Sequence, residues 1–380
     1  MHILLTGAAG FVGWKTAELL LADGHTVVGI DNLNDYYSPD LKKWRIRQIK
    51  EYARSETPTP GSGTATAVSV PVSETPTPRS GTATAVSVPV THPPSSLAPS
   101  PNPNPTPSPS TPFTFIPGDL ENAAFIDDLF ETHRFDAVIN LAARAGVRAS
   151  IEDPGVYFRT NALGSVHLLE AMRRKEVKKY VLASTSSLYA GQPMPFDEAL
   201  PVNTPISPYA ASKKAAEVSA YTWHHLYGID VTILRYFTVY GPAGRPDMSP
   251  LRFANWIATG QAIQLYGDGT QRRDFTYIDD IAAGTVAALK PLGFEIINLG
   301  GGNEPIEINT MIAAFEQHLG KKAKINHLPF HDADMKATQA NNQKARTLLN
   351  WTPKTTPEAG FKKTIEWYQA NQSWLTGILA

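Results

Sequence analysis

The sequence contains no cysteine and carries almost no net charge. Its 380 residues include 34 lysines and arginines against 35 aspartates and glutamates, which gives a formal net charge of −1. The lack of cysteine excludes disulfides, a thiolate nucleophile and a cysteine-ligated metal site, and we expect no bound metal. A near-neutral chain without a basic block is also a poor partner for nucleic acid or a membrane surface.

The sequence also has no apolar leader ahead of its first predicted strand, which begins at Ile3. We therefore expect neither a signal peptide nor a transmembrane segment, and a cytoplasmic location is the default. With 42% hydrophobic residues the chain can bury a sizeable core. Its length suggests about two domains.

A tract rich in Pro, Ser and Thr, residues 55–112, interrupts the chain. It opens on a tandem repeat of 18 residues, 55–72 and 73–90, whose copies differ at one position. Proline at this density is incompatible with a helix or a central strand, and the few apolar residues cannot offset the entropy lost on ordering the chain. The sequence predicts a disordered insertion between a helix and a strand, at the sheet edge opposite the one that binds ligands.

The N-terminal segment has the pattern strand, glycine turn, helix, strand. The turn has the spacing Gly-x-x-Gly-x-x-Gly, and an aspartate ends the second strand. Such glycines allow a tight turn, close approach of the backbone to a pyrophosphate, and close packing of the helix. The aspartate can accept from ribose hydroxyls and repels a 2′-phosphate, so the pattern favours NAD over NADP. The predicted cofactor contacts in this segment are Gly7, Gly10, Phe11, Val12, Gly13, Asp31 and Asn32.

Strands and helices alternate through the following residues, which predicts a Rossmann-like, doubly wound parallel α/β sheet. Residues that follow its strands face the crevice that binds the dinucleotide. Asp119 can reach an adenine there, and the two alanines are small enough for a dinucleotide to lie against them. Ordinary strand ends would look the same. The further predicted cofactor contacts are Asp119, Leu120, Ala142, Ala143 and Asn161.

Tyr209 and Lys213 lie four residues apart in a predicted helix and so share one face. A phenol with a pKa of about 10 is a poor base at neutral pH, but a neighbouring cation lowers that value. Most such pairs are solvated surface residues. Here a cluster of hydroxyl side chains that includes Thr185 ends a predicted strand and completes a triad, although similar clusters often only cap turns.

The glycine spacing and the Tyr-x-x-x-Lys pair resemble the extended short-chain dehydrogenase/reductase family, the NAD-dependent epimerases and dehydratases. Longer stretches resemble the UDP-glucuronate 4-epimerases within that family. These stretches are 31–37, 145–148, 235–242, 244–248 and 273–280.

The resemblance implies a catalytic role for Thr185, Tyr209 and Lys213, of which the last two also contact NAD. It puts Tyr236 on the nicotinamide side and Arg273 on the substrate diphosphate. It further implies a homodimer, and an NAD-binding domain over 1–54 and 113–242 followed by a smaller nucleotide-sugar subdomain over 243–380, with a return near 275–300. The implied substrate contacts are Ser186, Ser187, Thr238, Arg245 and Arg273.

Residues near the triad favour one reaction within the family. Dehydratases and decarboxylases of the family carry a carboxylate after the position of Thr185, where this chain has Ser186 and Ser187. Thr238 and Arg245 favour a hexuronate, although Arg245 can equally be a surface or interface cation. The sequence thus predicts a UDP-glucuronate 4-epimerase that acts through a 4-keto intermediate. The alternatives are a UDP-glucose/galactose 4-epimerase, a UDP-glucuronate decarboxylase, an oxidoreductase that uses external NAD(P)H, and a non-enzymatic NAD-sensing scaffold.

Overall fold

The computed structural model describes residues 1–55, 111–375 and 377–379. Residues 56–110, which make up almost all of the predicted insertion, lie outside the described residues. The strands within the described ranges are β1 (His2–Thr6), β2 (Thr26–Asp31), β3 (Phe113–Pro117), β4 (Ala137–Asn140), β5 (Lys179–Thr185), β6 (Asp230–Tyr236), β7 (Thr238–Tyr240), β8 (Ala262–Tyr266), β9 (Arg272–Arg273), β10 (Phe275–Tyr277), β11 (Phe294–Leu299), β12 (Ile306–Glu307) and β13 (Lys324–Leu328).

The helices alternate with these strands. In the part of the chain that the structure describes, none of them is long and apolar enough to cross a membrane. The α-helices are α1 (Phe11–Ala22), α2 (Pro39–Ser55), α3 (Ala123–Thr132), α4 (Ala149–Glu152), α5 (Pro154–Tyr157), α6 (Gly164–Arg174), α7 (Pro208–Tyr227), α8 (Ser249–Thr259), α9 (Ile278–Ala287), α10 (Ile308–Leu319), α11 (Gln343–Leu349) and α12 (Pro357–Leu375).

Seven strands form one parallel sheet in the order β11-β6-β5-β4-β1-β2-β3. Successive strands are added on one side of β1 and then on the other. This reversal opens a crevice between the carboxyl ends of β1 and β4, where such sheets bind their ligands. The predicted doubly wound parallel sheet is confirmed.

The central strands are apolar on both faces because helices cover both sides of a parallel sheet. In β1, Ile3 and Leu5 pack into one hydrophobic cluster with α1 and α2, while Leu4 packs into a second cluster with α3 and α6. This is the two-residue alternation of a strand. The three side chains are fully buried.

The two described ends of the Pro-rich tract lie at the amino edge of the sheet. Helix α2 ends at Ser55, and Phe113 pairs with Val27 at the start of β2. Asp31 and Thr185 end their strands at the opposite edge. The tract therefore leaves and re-enters the fold at the edge that the sequence predicts.

The C-terminal third builds a separate hydrophobic cluster from α8, α10 and α12, with Phe315 and Phe361 at its centre. The small strand pairs β7–β10, β9–β12 and β8–β13 lie in the same region. The chain also returns to the main sheet, because β11 pairs with β6 along its whole length. The division into an NAD-binding and a nucleotide-sugar-binding part stays a prediction.

Two helices differ from their predicted form. The sequence pattern over 154–175 predicts one long helix, but a π-helical segment, Phe158–Leu163, interrupts it. Such segments often mark functional sites. Pro305 predicts a helix start at that residue, but the helix begins only at Ile308, because the two residues before it pair with β9 as the short strand β12.

Candidate active site

The glycine turn after β1 needs glycine at positions where a side chain would strike backbone. Gly7 has φ +68°, and a Cβ there would lie 2.7 Å from the amide nitrogen of Ala142 at the end of β4. A Cβ on Gly13 would lie 2.1 Å from the carbonyl oxygen of Gly7. The glycines therefore let the turn, helix α1 and the end of β4 approach one another closely.

The first turn of α1 presents its backbone N–H groups at this turn. Its N-cap residue is Gly10, and among the described residues no side chain caps the helix. Uncapped N–H groups at a helix N-terminus form a site for an anion, because the helix dipole adds to their hydrogen-bonding capacity. The turn thus fits a dinucleotide pyrophosphate.

Carboxylates mark the other end of this region. Asp31 accepts a hydrogen bond from the amide of Leu33 at 2.8 Å, and burial raises the pKa of its carboxyl despite this bond and the nearby Lys42 ammonium. Asn32 donates to Asp119 at 2.8 Å, which joins the ends of β2 and β3. This is the position that a ribose and an adenine take in folds of this kind.

A single cleft of about 350 Å³ runs from the glycine turn to the triad. This volume is in the range of ligand-binding pockets. The predicted residues that line the cleft are Gly7, Gly10, Phe11, Val12, Gly13, Asp31, Asn32, Asp119, Leu120, Ala142, Ala143, Thr185, Ser186, Ser187, Tyr209, Lys213, Tyr236, Thr238 and Arg245.

Asn161 is not among the residues that line the cleft. Its amide accepts from the backbone nitrogen of Arg144 at 2.8 Å and donates to the carbonyl of the same residue at 2.9 Å. A further bond of 2.9 Å reaches the hydroxyl of Ser212. Asn161 thus fixes the backbone that follows Ala143, and its amide is occupied by protein partners.

Arg273 also lies outside the lining of the cleft. It donates to the carbonyl oxygen of Arg272 at 2.9 Å, and burial lowers the pKa of its guanidinium although Asp334 opposes this effect. Nearby, Arg148 forms an ion pair with Asp334 at 3.4 Å and lies over the ring of Tyr266 at 4.0 Å. The role of Arg273 on a diphosphate stays a prediction.

The triad is assembled where β5 ends against α7. Thr185 and Tyr209 both line the cleft, and the Thr185 hydroxyl opposes the rise in the pKa of the Tyr209 phenol. The ammonium of Lys213 donates to the carbonyl oxygen of Ala183 at 2.9 Å. Thr185 and Lys213 are buried, with 6% and 3% of their surface exposed, and Tyr209 is half-buried on the cleft. Proline follows the Ser207 cap and starts α7 one residue before Tyr209, as expected for a helix N-terminus.

The pKa values of Tyr209 and Lys213 do not follow the expectation that Lys213 lowers the pKa of Tyr209. Burial raises the pKa of Tyr209, and the groups that oppose it are the Thr185 hydroxyl and the Arg245 charge. Burial lowers the pKa of Lys213 to about 8, against the field of Glu217. Desolvation therefore sets the direction of both pKa shifts.

Arg245 stands at the triad end of the cleft. Its Nε donates to one carboxylate oxygen of Asp247 at 3.1 Å and its Nη2 to the other at 2.5 Å. Within the described ranges its Nη1 makes no hydrogen bond to the protein, and its charge reaches Tyr209. The guanidinium is thus held in place with donors left for an anion.

Sequence reasoning missed several residues that line the same end of the cleft, foremost Tyr36 and Arg144. The ring of Tyr36 lies between two guanidiniums, 5.9 Å from that of Arg144 and 5.8 Å from that of Arg245. Tyr36 belongs to a stretch that carries the family resemblance. Nothing in its spacing indicated a place in the cleft.

The parallel sheet, and the cleft that holds both the glycine turn and Thr185, Tyr209 and Lys213, define a short-chain dehydrogenase/reductase. The model of the NAD-dependent epimerase/dehydratase family matches residues 3–55 and 83–300. The chain belongs to this family, and its cofactor is NAD.

Similar proteins and solved structures agree with this assignment. The chain is 48% identical over 377 residues to a UDP-glucuronate 4-epimerase of Thermodesulfobacterium geofontis, with 99% of each chain covered. It is similar to the crystal structure of UDP-glucuronic acid 4-epimerase from Bacillus cereus in complex with UDP-glucuronic acid and NAD, at 31% identity, TM-score 0.77 and coverage of 97% and 99%. A UDP-glucose 4-epimerase of Thermotoga maritima with UDP-glucose matches at 25% identity, TM-score 0.73 and coverage of 98% and 100%.

Proposed function

We propose that the protein is an NAD-dependent epimerase that interconverts UDP-glucuronate and UDP-galacturonate at C4 of the sugar. The observation that carries the proposal is the guanidinium of Arg245 at the triad end of the cleft, where a hexuronate carboxylate needs a cation. The uncharged Ser186 and Ser187 beside Thr185 supply no acid or base for elimination. The similarity of the chain to UDP-glucuronate 4-epimerases supports the assignment.

The residues of the triad have distinct roles in the proposed reaction. Tyr209 takes the proton from the sugar O4, and Thr185 hydrogen-bonds O4 and fixes its position. Bound NAD supplies a reversible oxidation at C4, which gives a 4-keto sugar. Lys213, on the same face of α7, holds positive charge near the phenolate. Once the keto sugar has turned its other face, Tyr209 returns the proton to O4.

The carboxylate of the keto sugar must also be restrained, since a β-keto acid loses CO₂ readily. We propose that Ser186, Ser187, Thr238 and Arg245 hold it by hydrogen bonds in an orientation where that loss is slow. All four line the cleft with the triad.

Replacing Arg245 by methionine should raise KM for UDP-glucuronate about 10- to 100-fold, since a hydrogen bond to a charged group contributes about 1.5–3 kcal/mol. KM for UDP-glucose should change little, because that sugar has no carboxylate. Steady-state kinetics with both substrates measure the contrast. The matched control is Arg174→Met, which removes an exposed guanidinium paired with Asp127 and should change neither value. Equal changes for both sugars would rule out carboxylate recognition by Arg245.

The proposed reaction is tested by incubating purified protein with UDP-glucuronate and no added NAD. Formation of UDP-galacturonate supports an epimerase that retains its cofactor. A UDP-pentose with release of CO₂ indicates a decarboxylase, and a stoichiometric need for external NAD(P)H indicates an oxidoreductase. Conversion of UDP-glucose in preference to UDP-glucuronate indicates a UDP-glucose/galactose 4-epimerase. If neither sugar is converted, the result favours the non-enzymatic NAD-sensing scaffold.

We also propose that the protein is a homodimer. Helix α7 packs against the π-helical segment 158–163, and the two present exposed apolar side chains, Phe158, Leu163, Val218 and Tyr221, each between 42% and 51% exposed. Grouped apolar exposure of this kind marks interaction surfaces. Sedimentation of the wild type and of Val218→Glu tests this; a wild-type monomer contradicts it. A cytoplasmic location stays a prediction, which cell fractionation would check.

A further inference from the structure

A buried ion pair lies directly behind the triad. Glu217 and Arg235 are 2% and 1% exposed, and two bonds join them, Nε to Oε1 at 2.9 Å and Nη2 to Oε2 at 2.8 Å. Arg235 also donates to the hydroxyl of Tyr189 at 2.8 Å, which in turn donates to Asn298 at 2.8 Å. A buried pair of this kind contributes little stability compared with apolar residues of the same volume, so its position calls for another explanation.

That position is defined by three successive residues of β5. The carbonyl of Ala183 accepts from Lys213, and the hydroxyl of Ser184 donates to Glu217 at 2.6 Å. Thr185, the next residue, lines the cleft with Tyr209, and its hydroxyl acts on the pKa of the Tyr209 phenol. Tyr209, Lys213 and Glu217 recur every four residues and so share one face of α7. The Ser184 bond and the Lys213 bond together fix the end of β5 against the face of α7 that carries Tyr209.

The charge of Glu217 acts on Lys213 as well. Lys213 is one helical turn away, and the carboxylate field raises the pKa of its ammonium against the larger effect of burial. The other charged or titratable groups around this region are Tyr209 and Lys214 on α7, Arg235 on β6, Tyr189 after β5, and Glu198 and Arg245, whose charges act on Tyr189 and Tyr209. Among the described residues, Glu217 is the carboxylate that acts on Lys213.

We propose that Glu217 is a positioning residue of the epimerase, which through Ser184 and Arg235 fixes the end of β5 against the face of α7 that carries Tyr209 and Lys213. The inference rests on the proposed function for its catalytic meaning. The charge effect on Lys213 is a property of the chain itself, so it can be measured without turnover.

Glu217→Gln tests the charge, because glutamine keeps the shape of the side chain and an acceptor for Ser184. We expect the pKa of Lys213 to fall by about one unit, since an anion that stabilised the ammonium has been removed. NMR titration of isotope-labelled lysine measures it, with the Lys213 signal identified by its loss in Lys213→Met.

Two further single variants separate the effects. Ser184→Ala removes the bond to β5 but keeps the carboxylate, so kcat should fall several-fold while the pKa of Lys213 stays unchanged. Glu170→Gln is the matched control, because Glu170 contacts α7 through Trp223 instead of near Lys213; it should change neither quantity. An unchanged kcat in Ser184→Ala would refute the positioning role.

The double variant Glu217→Gln/Arg235→Met covers the possibility that a lone buried guanidinium prevents folding, since it removes both charges together. The pKa of Lys213 should still fall, but less than in Glu217→Gln, because the repulsion from Arg235 is removed together with the carboxylate. A folded Glu217→Gln variant with an unchanged Lys213 pKa overturns the inference, even if the wild type is an active epimerase. A wild type without epimerase activity overturns the proposed function but leaves the NMR result to decide this inference.

Discussion

Tyr209→Phe should lower kcat by about 10²- to 10⁴-fold, the range by which a positioned acid or base contributes to catalysis. The substitution removes one hydroxyl and keeps the ring, which packs edge-on against Tyr157 at 6.2 Å. NAD content and the affinity for UDP-glucuronate should therefore change by less than about 10-fold, since no binding contact of comparable strength is removed. Single-turnover kinetics measure the chemical step, and calorimetry measures substrate binding.

Tyr227→Phe is the matched control, because Tyr227 lies at the exposed end of the same helix. It should keep wild-type kcat. If Tyr209→Phe retained kcat within about 10-fold of the wild type, or if it lost activity only because it no longer bound NAD, Tyr209 would not be the acid–base group.

The pH dependence of this step follows from the two pKa shifts in the triad. Raising the pKa of Tyr209 favours the neutral phenol, and lowering the pKa of Lys213 to about 8 favours the neutral amine. Because the pKa of Tyr209 lies above that of Lys213, the phenolate–ammonium form is most populated between the two values. Activity should therefore fall below about pH 8 and fall again above the pKa of Tyr209. In a coupled pair the measured values belong to the pair. Lys213→Met should remove the alkaline limb.

Sequence reasoning expected Thr185, Tyr209 and Lys213 to lie together, and they line one cleft, but it misjudged their electrostatics. The spacing of Tyr209 and Lys213 fixes that they share a helix face, and this is a local property. The balance between attraction and desolvation depends on β5 and β6 packing against that face, which contacts over long sequence separation decide. The same reason hid Glu217 and Arg235, whose pairing joins residues 18 positions apart on different elements.

The fold was predictable because its sequence signals are local. Part of the cleft was not predictable, because it is formed by residues distant in sequence. Alternating apolar runs with Gly and Pro breaks predict the elements of the parallel sheet. The π-helical segment around Asn161 has no such signal, since it depends on bonds to Arg144 across 17 positions. Tyr36 enters the cleft beside Arg144 for the same kind of reason: chain segments distant in sequence meet there.

Gly13→Ala should abolish retention of NAD and destabilise the fold. The new Cβ would lie 2.1 Å from the carbonyl oxygen of Gly7 and 3.0 Å from Cα of Ala8. Both are backbone atoms, so no side chain can move aside, and α1 must separate from the turn. Overpacking of this kind costs about 1–3 kcal/mol or more. The loss should appear in denaturant unfolding, and a weakening of NAD binding by at least about 100-fold should appear in calorimetry, because the N–H groups of α1 no longer face the pyrophosphate.

The matched control is Gly155→Ala, also in a helix and with ordinary φ. There the nearest atom to a Cβ is the flexible end of Arg159 at 3.2 Å, so the arginine can move. This variant should keep its NAD and lose less than about 0.5 kcal/mol of stability, as surface substitutions do. If Gly13→Ala kept a full complement of NAD, helix α1 would not need its close approach to the turn. The pyrophosphate would then have to be held by side chains, for which the described turn offers only glycine, alanine and the apolar Phe11 and Val12.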